Sequence, residues 1–137
     1  MKTILKSLIT AITLLGLAGF TQAHALDSAE PKAIGLLFYS DACGSCKILD
    51  PNIQAVKEDF ATQPILFATF DHSNTESRNQ AALLAASLGV AKLYDEQQKA
   101  SGYMLIVDPK TGKILQKLTK TDSQEAIKAA FNMALKS

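Results

Sequence analysis

The chain has 137 residues with 14 basic and 13 acidic side chains, a formal net charge of +1, so it offers no electrostatic case for nucleic acid or an anionic membrane surface. Its length fits one small domain, and its only two cysteines exclude a disulfide-rich scaffold and fall short of a four-cysteine zinc or iron–sulfur site. There is no internal repeat, low-complexity tract or charge block.

The first 25 residues read as a cleaved secretory leader. Lys2 and Lys6 give a positive start, Leu8 to Phe20 is an apolar stretch, and Ala23-His24-Ala25 is the small-x-small pattern of a cleavage site. The stretch falls short of the roughly 20 residues of a spanning helix, although an uncleaved anchor is the alternative. The expected mature chain is one domain from Leu26 to Ser137, exported to the periplasm and with no stable membrane association. The two leader lysines account for +2, which leaves that domain at −1.

Ile34 to Tyr39 is a continuous apolar run, the pattern of a strand covered on both faces. Ser40-Asp41-Ala42 turns the chain into Cys43-Gly44-Ser45-Cys46. From Cys46 the apolar residues Leu49, Ile53, Val56 and Phe60 mark one face of a helix, with Pro51 inside it as an expected kink. Ile65 to Phe70 reads as a second buried strand. Arg78 to Leu88 reads as an alanine-rich helix closed by Gly89. Val90 to Ser101 reads as a polar connection carrying Lys92, Asp95, Glu96 and Lys99. Tyr103 to Val107 is a third strand, Asp108 to Gly112 a turn, and Lys113 to Leu118 a fourth strand. Thr121 or Asp122 is expected to cap a last helix with Ile127, Ala130, Phe131 and Leu135 on its apolar face. This order predicts an α/β fold, a mixed sheet with helices on both faces.

Two thiols separated by two residues can close a small disulfide and reopen it. At a helix N-terminus the first sulfur sits near unpaired N–H groups and the positive end of the macrodipole, which favours the thiolate. In an exported chain a lone cysteine pair can also be a structural bridge. Such bridges act by closing long loops, and this loop is nearly the shortest possible, which favours exchange chemistry. Haem attachment would need His where Lys47 stands, and one CxxC plus His72 is too few ligands for zinc.

The stretch Cys43 to Pro51, Cys-Gly-Ser-Cys-Lys-Ile-Leu-Asp-Pro, resembles the thioredoxin motif Cys-Gly-Pro-Cys-Lys-x-x-x-Pro. With the preceding strand and the element order, the resemblance covers the whole expected domain. It implies a thioredoxin-like three-layer α/β/α sandwich with a central mixed four-stranded sheet. It further implies that Cys43 is the nucleophile and Cys46 the resolving thiol, with no cofactor. Tyr39, at a position where the family usually has tryptophan, joins Asp41, Ala42, Gly44, Ser45 and Gly102 as the expected substrate-binding surface. A core role for Tyr39 is equally open.

Four departures accompany the match. Leu37 stands where the family commonly has a buried acid, and Phe67 or Ala68 where it has a lysine. Gly102 stands where a cis-proline normally faces the CxxC. A cis bond without proline costs about 2.5–4 kcal/mol, so a trans Ser101–Gly102 bond is expected. The Val90–Ser101 segment is longer than usual and is expected to border the site.

Gly44-Ser45 supplies no cation, and Asp41 would oppose a thiolate at Cys43, which points mildly to a reductase. The expected partners are protein thiols and disulfides, with a membrane thiol relay as electron donor. Two other readings stay open. One is a non-catalytic binding module of the same fold. The other is a carrier of a soft metal such as Cu(I) on the two cysteines, with room for the ion left by the missing proline.

Overall fold

The computed structural model describes residues 30–137. The leader expected over residues 1–25 lies outside the described residues. Eight elements follow in order: β1 (Ala33–Tyr39), α1 (Cys46–Asp59), β2 (Ile65–Asp71), α2 (Thr75–Ser87), α3 (Ala91–Gln97), β3 (Tyr103–Val107), β4 (Ile114–Thr119) and α4 (Gln124–Ala134). The strands form one sheet in the order β2-β1-β3-β4. β1 pairs parallel with β2, while the β1–β3 and β3–β4 pairs are antiparallel.

The central strands β1 and β3 are apolar throughout because both faces of the sheet are covered. On one face Ala33, Leu37, Met104 and Ile106 pack with Leu49, Ile53 and Val56 of α1 and Ile127, Ala130, Phe131 and Ala134 of α4. On the other, Ile34, Leu36, Phe38, Tyr103, Leu105 and Val107 pack with Ala81 and Ala85 of α2 and Tyr94 of α3. The result is the three-layer α/β/α sandwich with a mixed four-stranded sheet that the sequence predicts. The C-terminal end of β1 delivers the chain to the CxxC, and β3 begins beside it, which brings two distant segments together.

Four details differ from the sequence reading. β2 is an edge strand in which only Phe70 is buried; its other side faces no strand, so an apolar run need not be covered on both faces. α2 starts at Thr75 rather than Arg78, because the Asn74 side chain caps it by accepting from the Ser77 N–H at 2.9 Å. The polar connection holds a seven-residue helix, α3, which Tyr94 anchors in the core. α4 is capped by Ser123, whose hydroxyl accepts from the Ala126 N–H at 3.3 Å. Asp122 is engaged elsewhere, its Oδ2 accepting from the Thr119 N–H at 2.7 Å. No helix among the described residues is long and apolar enough to cross a membrane.

Candidate active site

The turn after β1 sets up α1 from its first residues. The Ser40 carbonyl accepts the Cys43 N–H at 3.1 Å, and the Cys43 carbonyl accepts those of Cys46 and Lys47 at 3.2 and 3.4 Å. The Cys46 N–H also reaches Cys43 Sγ at 3.2 Å. A donor of the first helical turn is thus shared between the Cys43 carbonyl and the first sulfur. Ser45 is the N-cap residue but makes no side-chain cap bond.

The two cysteines are both free thiols in unequal surroundings: Cys43 is half-buried and Cys46 fully buried. Burial pushes the Cys43 thiol up, but hydrogen bonds from the side chains of Cys46 and Ser101 and from the backbone of Cys46 and Ser45 outweigh it and hold it below the usual thiol range. Burial raises Cys46, and its hydrogen bond to Cys43 raises it further. The Cys46 thiol points to the Phe38 carbonyl at 3.9 Å. Cys43 is thus the more readily ionised of the two thiols and Cys46 the less.

Gly102 closes the site from the other side. Its N–H donates to the Phe38 carbonyl at 2.8 Å. Its φ is +91°, and a Cβ there would stand 2.7 Å from Ser45 Cβ and 3.0 Å from Cys43 Sγ. Only glycine meets both the conformation and the contact. All peptide bonds among the described residues are trans, including Ser101–Gly102. Even a single carbon added at Gly102 would therefore crowd Cys43 and Ser45. Among the described residues no three His, Cys, Asp or Glu side chains group as metal ligands.

The other singled-out residues surround this pair. Tyr39 is half-buried against the α1–α4 core, and its carbonyl accepts the His72 N–H at 2.8 Å. Burial raises its phenol, and Asp50, Asp41, Cys46 and Asp71 add to the shift. Asp41 is exposed, and its N–H donates to Ser73 Oγ at 3.0 Å. Ser73 is held in turn by Asp71, whose carboxylate accepts its N–H at 2.8 Å and its hydroxyl. Ala42 and Gly44 are exposed, and Ser45 is half-buried.

Leu37 is buried between the sheet and α1, facing Met104 across the strands. No acid stands at this position. Phe67 and Ala68 lie opposite Gly35 and Leu36 on β2 and bring no charge. His72 is only 9% exposed. Its ring meets Phe38 and Tyr94 edge-on at 5.8 and 5.6 Å, and its Nε2 has no hydrogen-bond partner. Burial, and then the charge of Arg78, lower its pKa.

The charged side chains of the Val90–Ser101 segment are exposed, while Tyr94 and Tyr103 tie the segment down. Tyr94 donates to the Arg78 carbonyl at 3.3 Å and Tyr103 to that of Gln97 at 2.9 Å. The last residue of the segment is the half-buried Ser101, next to Gly102, and hydrogen bonding from it helps to lower the Cys43 pKa. Sequence reasoning passed over it. The signal available was a hydroxyl residue next to the glycine that replaces the proline.

The sequence profile of the Thioredoxin family matches residues 22–120, and the chain belongs to that family. Among solved structures it is similar to a thiol:disulfide interchange protein of the thioredoxin family from Chlorobium tepidum TLS, with a TM-score of 0.52 and 14% identity over 75% of this chain and 79% of that one. It is also similar to StoA from Bacillus subtilis, with a TM-score of 0.51 and 16% identity over 75% of this chain and 84% of that one. At these identities the likeness is one of fold. The comparison with curated protein sequences found no match.

Proposed function

We propose that this protein is an exported thiol–disulfide oxidoreductase that exchanges disulfides with protein substrates through Cys43 and Cys46, acting as a reductase. The observation that carries this reading is the asymmetry of the pair. Cys43 is accessible, receives the Cys46 N–H at 3.2 Å and has a lowered pKa, while Cys46 is buried beneath it with a raised one. Cys43 attacks a substrate disulfide, a mixed disulfide forms, and Cys46 displaces the reduced product. Membership of the thioredoxin family supports the same chemistry.

What surrounds the Cys43 thiol supports the reductase direction. Gly44 and Ser45 add no cation to the helix N-terminus, so no side-chain charge between the cysteines stabilises the thiolate. The periplasmic setting follows from the leader pattern of residues 1–25, and a reductase there draws its electrons from a membrane thiol relay. Titration of the Cys43–Cys46 pair in redox buffers, with alkylation of the free thiols, tests the reading. A potential near thioredoxin's, about −270 mV, supports a reductase, and one near −120 mV reverses the direction. A bridge that no dithiol opens would leave the pair as a structural clasp.

A further inference from the structure

His72 is a buried titratable group that the exchange reading leaves unused. It follows β2 directly, and its ring lies against Phe38 of β1 and Tyr94 of α3. The buried Nε2 has no hydrogen-bond partner among the described residues. As the bare nitrogen of a neutral imidazole it lacks only a donor. Protonated, it becomes the N–H of a cation with nothing to accept it, a far costlier burial. Two charged groups face the ring, Arg78 of α2 and the neighbouring Asp71. The Arg78 guanidinium opposes a second cation, and its Nη1 donates to the His72 carbonyl at 3.5 Å. The Asp71 carboxylate already accepts the N–H and hydroxyl of Ser73. Tyr94 adds only a phenol, raised by burial, that donates to the Arg78 carbonyl.

The same loop holds the turn that leads into the thiols. Asp71 stands opposite Tyr39 at the end of the parallel ladder, and the His72 N–H donates to the Tyr39 carbonyl at 2.8 Å. Ser73 Oγ accepts the Asp41 N–H at 3.0 Å. Between those two ties, the Ser40 carbonyl accepts the Cys43 N–H at 3.1 Å. Phe38, on whose ring His72 packs, offers its carbonyl to the Cys46 thiol at 3.9 Å. Seating the His72 ring therefore fixes the stretch of chain on which both thiols are built.

We propose that His72 is an acid-released latch on the thiol site: neutral, it locks residues 71–73 onto the turn 39–41, and protonated, it leaves its aromatic surroundings and frees that turn. What the latch governs rests on the exchange reading above. The proton comes from solvent, and the Tyr39 carbonyl and Asp41 N–H that the loop lets go are taken up by water. Opening is local, because the ties at stake join two loops at one end of the sheet and the strand ladders stay intact. The released ring takes its proton near the ordinary pKa of 6.5, and the seated ring only at lower pH. The open form therefore gains on the closed one by up to about tenfold for each pH unit below 6.5.

Amide hydrogen exchange on the reduced protein tests it. Between about pH 7.5 and about pH 5.5 the protection factors of the His72 and Asp41 amides, corrected for intrinsic rates, should fall by up to about tenfold. Both should stay below the protection of Leu105 in the buried β3. His72→Phe, which keeps a ring but cannot titrate, should remove the pH dependence, and His72→Gln serves where the first variant misfolds. In a Cys43→Ser background, iodoacetamide should reach the buried Cys46 through the same opening. The alkylation rate with His72 divided by that with His72→Phe should rise by the same factor as pH falls, since the thiolate fraction cancels. Protection that ignores pH, or that falls equally in H72F, would overturn the latch. So would His72 and Asp41 amides as protected as Leu105, because the opening would then be global unfolding. A flat alkylation ratio would overturn its hold on the thiols. Neither readout involves disulfide exchange, so a latch that opens in a protein whose Cys43 forms no mixed disulfide would overturn the exchange reading and not the latch.

Discussion

Replacing Gly102 by alanine sets the local geometry against the smallest possible side chain. A φ of +91° is outside the comfortable range of an L-residue, at a cost of about 1–2 kcal/mol. The new Cβ would stand 2.7 Å from Ser45 Cβ and 3.0 Å from Cys43 Sγ. Ser45 Cβ is rooted in the first turn of α1 and cannot swing aside, so relief requires a backbone shift, at about 1–3 kcal/mol for an overpacked site. The two terms add to roughly 2–5 kcal/mol. In a domain of this size that lowers the unfolding midpoint by about 10–20 °C or more. Gly89→Ala is the internal control: its φ is also positive, +71°, but nothing lies within 4 Å of the added carbon. Urea unfolding of the reduced proteins measures both, and the excess loss in G102A over G89A is the overlap with the thiol site. The alkylation rate of Cys43 should change in G102A alone. A G102A protein as stable as G89A, with Cys43 alkylated at the wild-type rate, would refute the close contact. Gly102→Pro should do worse than alanine, since proline fixes φ near −65° and removes the N–H that the Phe38 carbonyl accepts.

Cys46→Ser should let Cys43 form a mixed disulfide that persists, seen as an adduct by mass spectrometry, whereas Cys43→Ser should form none. His72 has a folded-state pKa below its unfolded value of 6.5, so the unfolded chain binds more protons and stability falls as pH drops through 6.5 towards the folded pKa. His72→Phe should flatten that dependence in urea titrations between about pH 7 and 5, and an unchanged slope would shift the cause to other groups. Tyr94→Ala should cost about 3–5 kcal/mol, because it takes the ring that anchors α3 out of the core, and unfolding by urea measures it.

The spacing of the cysteines, the apolar run before them and the helical periodicity after them are local features, and they carried most of the fold. Tyr103–Val107 and the apolar face of α1 are where the pattern put them, because buried strands and amphipathic helices write their burial directly into residue order. Strand order is not written there. Whether Ile65–Phe70 lies at the centre or the edge of the sheet depends on which strand pairs beside it, so its apolar run misled. α3 was hidden because seven residues are too short for a periodicity to show, and one buried ring, Tyr94, holds it. His72 is buried by Phe38 and Tyr94, which stand 34 and 22 residues away from it in the chain.

The sequence by itself determined the chemistry on offer at the site: two thiols one helical turn apart, no acid at Leu37, no proline at residue 102. These are matters of composition and spacing, and neighbours in the chain settle them. Tertiary structure decided what those absences mean. The missing proline leaves a glycine at which even one added carbon would crowd Cys43, about sixty residues upstream. That approach exists only because β3 pairs with β1 and the Phe38 carbonyl takes the Gly102 N–H. Contacts of that kind depend on the register between two strands, and no reading of either strand alone contains it.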